Sequence, residues 1–243
     1  MRKTMQTSIS LKKWEVLSGS MLKLLAVLSM LIDHTAVTLS SQLTWMEMPI
    51  FTMGQTEITL YRMMRVLGRF AFPIFCFLAS EGARHTSHGK RYCFRLLLFA
   101  FVSEIPFNMM MNGSVIYPIK QNVYFTLFLG VLLIYIFEKV SSKWKKALLM
   151  LAVIVLSACL QADYGPGGVL LILLIYVLRN HAVVQAVLAF PLLIAESPAI
   201  LAFIPINMYN GKRGFIRSGW LKYGFYAFYP LHILLLCLIQ GLL

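Results

Sequence analysis

Long apolar runs separated by short polar stretches dominate the pattern of this chain. A helix needs about 20 apolar residues to cross the hydrocarbon core of a bilayer, so each run predicts a membrane helix, about nine in all. Two runs near the C-terminal third are short for a crossing. The runs fall at 22–41, 59–81, 94–111, 122–138, 147–162, 166–178, 182–196, 198–209 and 223–240.

Composition agrees with this pattern. The chain has 243 residues, of which 59% are hydrophobic and 13% charged. Its mean hydropathy of +0.76 lies well above that of soluble domains. We therefore predict an all-α fold, a polytopic integral membrane helical bundle. It forms a single domain over 21–243 after a polar cytosolic segment over 1–20. The membrane lipid bilayer is therefore expected to surround it.

The positive charges indicate orientation. Of the 22 Lys and Arg residues, 18 fall in segments on one side of the predicted topology, including Arg2, Lys3, Lys12, Lys13 and Arg217. Because basic residues stay on the cytosolic side of membranes, the N-terminus is predicted to be cytosolic. Orientation also explains the net charge of +13 without nucleic acid as a partner. On the opposite side, the segment 45–57 is long enough to fold over a cavity.

Several ionisable residues lie inside the apolar runs, where a charge is costly unless it is paired or faces water. At a rise of about 1.5 Å per residue, most of them reach a common layer slightly outside the midplane. The three arginines are spaced by three and four and therefore share one face of their helix. The set comprises Asp33, His34, Arg62, Arg65, Arg69, Glu104 and His232.

Structural roles are open for these charges as well as catalytic ones. Arg62 lies close enough to the outer end of its helix to extend to the membrane surface. Asp33 with Arg65, or Glu104 with Arg69, would form ion pairs that only fix helix packing.

The two histidines are equally open to a structural role, since each could be an interhelical hydrogen-bonding residue. Adjacent helical residues point about 100° apart, so Asp33 cannot orient the imidazole of His34. Glu104 or a residue of another helix would have to do so.

A second polar set lies at the predicted cytosolic surface. The segment 81–85 closes the second predicted helix, and the glycine-rich segment 210–214 precedes the last one. Glycines allow close backbone approach to an anion, and Lys and Arg attract phosphates. The same residues are also what ordinary basic cytosolic loops contain.

Taken together, several motifs are similar to those of the TraX family, in the same order from about residue 21 onward. The motifs are MLIDH at 30–34, RVLGRFAFPIF at 65–75, EGARHT at 81–86, SEIPF at 103–107, NVYFT at 122–126, ADYG at 162–165, YNGKRG at 209–214 and FYPLH at 228–232.

This resemblance implies a multi-pass acyltransferase of the bacterial cytoplasmic (inner) membrane. The founding member of the family N-acetylates the F-type pilin, and wider kin include the heparan glucosaminide acetyltransferases. The implied donor is cytosolic acetyl-CoA, and no metal is expected. The acceptor, an amine or hydroxyl of a membrane peptide, a glycan or a lipid, stays open.

Both polar sets would then have a role. His34 is predicted to be the general base or an acetylated nucleophile, and arginines would stabilise the oxyanion or hold the acids. The predicted catalytic residues are His34, Asp33, Arg65, Arg69 and Glu104. The predicted donor-binding residues are Arg84, His85, Asn210, Lys212, Arg213, Tyr229 and His232.

Two other functions compete with this one. A small-molecule transporter or lipid flippase would use the buried charges as a proton or anion relay, and a scaffold would use them as structural ion pairs. Transporters commonly have interrupted helices at matching positions of two repeats. The segment 165–168 is one interruption, and the sequence shows no counterpart to it.

Overall fold

The computed structural model describes residues 14–216 and 218–243. Most of the predicted N-terminal segment 1–20 lies outside these ranges, together with five residues of the predicted basic surface. These five are Arg2, Lys3, Lys12, Lys13 and Arg217.

Helices form most of the described chain. Most correspond to the apolar runs with shifted ends, but the predicted boundary between the runs 182–196 and 198–209 lies inside one 3-10 helix. The α-helices are α1 (Gly19–Leu39), α2 (Leu60–Gly68), α3 (Ala71–His85), α4 (Gly89–Asn112), α5 (Val123–Lys139), α6 (Lys143–Cys159), α7 (Gly165–Val177), α8 (Ala182–Ala189), α9 (Phe203–Asn207) and α10 (Gly219–Gln240), and 3-10 helices cover Thr44–Glu47 and Pro191–Ala202.

Polar caps determine where several helices begin. The side-chain oxygens of Ser18, Thr59, Asn122 and Ser218 accept hydrogen bonds from backbone N–H groups of α1, α2, α5 and α10. Each cap satisfies a donor that the first turn of a helix leaves without an internal partner.

Four helical stretches in the described residues are long and apolar enough to cross a bilayer: α1, α2 with α3, α4 and α10. A fifth arises if α8 and the segment Pro191–Asn207, bent by 117°, count as one crossing. The helices α5 and α6 have 17 residues each and rise only about 25 Å. The chain is a mostly helical membrane protein, while the count of about nine crossings and the cytosolic N-terminus stay predictions.

The second predicted helix is interrupted between α2 and α3. Pro73 has no N–H to donate to the carbonyl of Arg69, which weakens the helix there. Ser29 of α1 donates to the carbonyls of Leu67 and Gly68 at 2.6 and 3.1 Å. A neighbouring helix thus satisfies backbone groups that the interruption frees.

The segment predicted to fold over a cavity is a β-hairpin, a small addition to the predicted all-α fold. Strands β1 (Pro49–Met53) and β2 (Thr56–Thr59) pair antiparallel around Gly54, which adopts a φ of +66°. The strand β1 is exposed along its whole length. Neither of the two cavities described below is lined by this hairpin.

The main core lies where α3, α4, α5 and α7 meet. Phe72, Phe125, Leu171 and Ile172 are buried there. A Cβ on Gly130 would overlap the Ile172 side chain, so glycine allows α5 and α7 to approach closely. This packing fixes the helices on which the polar residues lie.

Candidate active site

His34 of α1 and His232 of α10 meet inside the bundle. Nδ1 of His34 lies 2.7 Å from Nε2 of His232. The two rings are nearly parallel, at 3°, with centroids 4.9 Å apart. His232 is only 5% exposed, so this polar contact is protected from solvent.

Hydrogen bonding determines which nitrogens carry protons. Nδ1 of His232 lies 2.7 Å from the carbonyl oxygen of Phe228, and because a carbonyl only accepts, this nitrogen donates. In the neutral ring Nε2 of His232 is then an acceptor, and Nδ1 of His34 must donate to it. The basic lone pair of His34 is therefore on Nε2, which no hydrogen bond joins to another described residue.

Tyr229 packs beside both imidazoles. Its ring centroid lies 5.7 Å from that of His34 and 5.9 Å from that of His232. Tyr124 of α5 contacts Tyr229 edge-on and donates through its hydroxyl to the carbonyl of Tyr226, at 3.0 Å. Aromatic rings thus hold the histidine pair from the side of α5.

The first of the two predicted ion pairs is confirmed. Arg65 of α2 donates from Nη1 to Oδ2 of Asp33 at 2.7 Å. Arg65 also lies close enough to His34 to influence it electrostatically. Arg62, nearer the start of α2, is exposed and donates to the carbonyl of Glu57 in the hairpin, so it reaches the protein surface at that end of the helix.

The second predicted ion pair, between Glu104 and Arg69, is wrong. Arg69 pairs with Glu196, which lies where the segment after α8 leaves helical geometry. Glu104 instead accepts a hydrogen bond at 2.6 Å from Asn122, which also donates to the carbonyl of Ala100. Glu104 therefore has no part in orienting the histidines.

A cavity of about 110 Å³ runs between α1, α3, α4, α5 and α10. Lys23 and Lys222 line it near one end of their helices, and Met30 and Tyr229 line it further along. Met30 precedes His34 by one helical turn, on the same face of α1. His34 itself does not line the cavity; Tyr229 lies beside both.

The lysine end of the cavity is strongly cationic. Lys23 interacts electrostatically with Arg213 and Lys222, and Lys222 also interacts with Arg95. Sequence reasoning had assigned Arg213 to the donor and had placed Arg95 in the basic cytosolic set, but it had counted Lys23 and Lys222 only as topology signals. The spacing of Lys23, Met30 and His34 by seven and four residues places them on one face of α1, and this pattern could have indicated Lys23.

Backbone hydrogen bonds hold the glycine-rich loop beside this end. The N–H groups of Gly19 and Ser20 donate to the carbonyls of Lys212 and Arg213 at 2.8 and 2.9 Å. Within the loop, Asn210 accepts from the N–H of Lys212 at 3.0 Å. Asn210 thus shapes the loop, and Arg213 lies near Lys23.

Arg84 and His85 lie elsewhere. Both pair with Glu81, at 3.3 and 3.2 Å. Glu81 also hydrogen-bonds the Tyr209 side chain. Burial of the phenol, together with the negative charge of Glu81, raises the pKa of Tyr209 to about 12. The structure thus connects the two predicted cytosolic motifs through Glu81 and Tyr209, but Arg84 and His85 do not line the cavity beside Lys23.

Glu196 is the main charged residue that sequence reasoning missed. A carboxylate inside an apolar stretch was a usable signal, because such a group must find a partner. Asp163 is a second one: Lys120 donates to it at 2.8 Å, and its carbonyl accepts from Thr126. These contacts join the connections before α5 and before α7.

Comparison with known proteins agrees with this arrangement of motifs. A fimbrial assembly protein of *Dichelobacter nodosus*, named probable FimC of serogroup H1, is 28% identical over 248 residues, which cover 90% of this chain and 94% of the relative. No solved structure matches the chain. The family described as TraX protein matches residues 18–240. Because that match spans almost the whole sequence, the chain belongs to the TraX family.

Proposed function

We propose that this protein is an integral membrane acetyltransferase of the bacterial inner membrane. It takes an acetyl group from cytosolic acetyl-CoA and transfers it to an amine or hydroxyl of an acceptor in or across the membrane. The observation that supports this proposal most directly is the hydrogen-bonded histidine pair. It lies beside Tyr229, which lines a cavity whose other end is cationic.

The proton arrangement of the pair suits base catalysis. Nε2 of His34 takes a proton from the acceptor, whose nitrogen or oxygen attacks the thioester carbonyl. The tetrahedral intermediate collapses, the C–S bond breaks, and the CoA thiolate recovers that proton. In a covalent variant, Nε2 itself attacks the carbonyl, the C–S bond breaks and the CoA thiolate leaves. The acceptor then attacks the acetyl-imidazolium and gives its proton to the thiolate, which regenerates neutral His34.

Arg65 supports either route. Its guanidinium is paired with Asp33 and lies close enough to act electrostatically on His34. A fixed positive charge at that place stabilises the oxyanion that develops on the thioester oxygen. Asp33 holds the guanidinium in position and does not contact the imidazole.

The donor would enter from the lysine end of the cavity. Lys23, Lys222 and Arg213 supply positive charge for the diphosphate, and the pantetheine arm would extend along the cavity toward Tyr229. The first acceptor to test is the N-terminal amine of a pilin-like peptide, because the *Dichelobacter nodosus* relative is named a fimbrial assembly protein.

Rapid quench of purified protein with acetyl-labelled acetyl-CoA tests the proposal. Label that stays on the protein without acceptor, and is lost in His34→Ala, supports the covalent route. Release of CoA only when acceptor is present supports direct transfer. Binding of acetyl-CoA without any acetyl transfer, with charge-dependent movement of solute across vesicles, would support a transporter instead.

Donor binding is tested separately from chemistry. Lys23→Gln with Lys222→Gln is expected to raise KM for acetyl-CoA while kcat changes little, since these side chains lie far from the reacting carbonyl. Lys143→Gln, an exposed lysine at the start of α6, is the matched control. A fall in kcat alone would contradict the assigned donor entrance.

A further inference from the structure

A second cavity, of about 240 Å³, lies at the end of the bundle that carries the basic loops. It is enclosed by the last turn of α3, the connection to α4, and the C-terminal parts of α5 and α7. Among the described residues, Tyr92 alone lines both cavities. Its side chain is buried, and its hydroxyl donates to the carbonyl of Ala79 on α3, at 3.4 Å.

The rim of this cavity is polar and exposed. Arg84 and Lys139 contribute two cations, and Thr86 and Ser87 contribute hydroxyl groups. Arg179 adds a third cation close by, with its guanidinium 5.1 Å from the ring centroid of Tyr176. Guanidinium, ammonium and hydroxyl donors together are the groups that bind phosphate.

The floor of the cavity is buried and apolar. Val131 and Ile134 of α5 line it, with Tyr92 and Tyr176 beside them. A cavity that is polar at its opening and aromatic at its base fits a ligand with an anionic end and an apolar or planar end. Inorganic phosphate alone would leave this floor without a contact.

One carboxylate opposes the cations. Glu138 lines the rim, and the hydroxyl of Tyr176 donates to its Oε1 at 3.0 Å. Arg84 is in turn shared with Glu81. A bound anion would therefore be attracted by Lys139 and Arg84 and repelled by Glu138, and these opposite signs make the site testable.

We propose that this cavity binds a small phosphate ester, with its phosphate against Arg84 and Lys139 and its apolar part against Tyr92 and Tyr176. Four helices surround the cavity, which favours a soluble ligand over a lipid headgroup. Apart from Tyr92, the site is lined by other residues than the cavity assigned to the donor, and it does not depend on the proposed acetyl transfer.

Equilibrium dialysis of the purified full chain with labelled AMP tests this site. Arg84→Gln and Lys139→Gln are each expected to weaken AMP binding about tenfold, as expected for loss of a charge-assisted hydrogen bond. Glu138→Gln keeps the acceptor for Tyr176 and is expected to tighten binding. Lys143→Gln, outside the cavity, is expected to leave it unchanged.

A second readout does not require a change in the cationic residues. Ser87→Cys, in a Cys159→Ser background that removes an exposed thiol, is expected to be protected from a charged thiol reagent by AMP. Adenosine without phosphate is expected to protect poorly. Equal protection by both compounds would overturn the assignment of a phosphate site.

Competition distinguishes the possible ligands. If CoA displaces AMP with the same dependence on Lys139, the cavity is part of the donor site and the proposal of a separate site fails. If AMP is displaced in phosphatidylglycerol nanodiscs and not in phosphatidylcholine nanodiscs, the ligand is a lipid headgroup and the proposal also fails. AMP binding that resists both supports it.

Discussion

At the scale of single residues, the proposed chemistry depends on how two histidines share protons. The carbonyl of Phe228 fixes the proton on His232, and His232 fixes the proton on His34. In the proposed mechanism His232 is therefore a positioning residue for His34, and its predicted role in donor binding stays a prediction. Burial of His232 limits competition by water for these hydrogen bonds.

Removing the acceptor for His34 should lower activity. His232→Leu is expected to reduce transfer about 10–100-fold, the range seen when a group that orients a functional histidine is lost. His232→Gln should recover part of it, because its amide can accept from His34 and donate to Phe228. The measurement is kcat with acetyl-CoA and a peptide acceptor. His181→Asn, at the exposed start of α8, is the control, and activity of His232→Leu equal to it would contradict the relay.

Asn122 offers a second test, of stability. It caps α5 through its carbonyl oxygen and donates to Glu104 through its amide. Asn122→Ala should cost about 1–2 kcal/mol through the lost cap and the unpaired carboxylate. Asn122→Asp keeps the cap but places two carboxylates together, so it should cost more, and the excess should shrink as pH falls and one carboxyl is protonated. Thermal unfolding in detergent across pH measures both, and a pH-independent difference would contradict this account.

At the scale of helices, α1 and α2 are joined by a close backbone contact. A Cβ on Gly68 would overlap the Asp33 side chain, and Ser29 hydrogen-bonds the carbonyls at the same place. The interruption after α2 and the bend after α8 are also joined, through Arg69 and Glu196. Two irregular segments therefore stabilise each other beside the site.

Gly68→Ala tests the α1–α2 contact. It should destabilise the protein by about 1–3 kcal/mol and weaken the Arg65–Asp33 pair, because the overlap involves the base of the Asp33 side chain. Gly224→Ala in α10 has open space and should be neutral or stabilising by up to about 1 kcal/mol. Unfolding temperature and acetyl transfer should both fall for the first variant only. Equal unfolding temperatures and equal transfer rates for the two variants would show that the close approach of α1 and α2 is not needed for stability or activity.

At the scale of the whole molecule, orientation is the main property left to measure. Alkaline phosphatase fused in the loop containing Lys120 should be active, since this enzyme needs the periplasm to fold. Fusions before Lys143 and after Lys212 should be inactive there, while fluorescent protein fusions should show the reverse. Activity at Lys143 would contradict the predicted orientation and the number of crossings before it.

The sequence by itself determined that the chain is a helical membrane protein and which helices carry ionisable groups, while the common depth of those groups stays a prediction. Apolar length and charge asymmetry are local properties, so they can be counted along the chain. Which charges meet was decided only by the tertiary structure. The sequence suggested Glu104 as the partner of Arg69, whereas in the fold Glu196, at the bend after α8, pairs with it. Likewise, the bond between His34 and His232 joins residues 198 positions apart, and only packing of the first helix against the last brings them together.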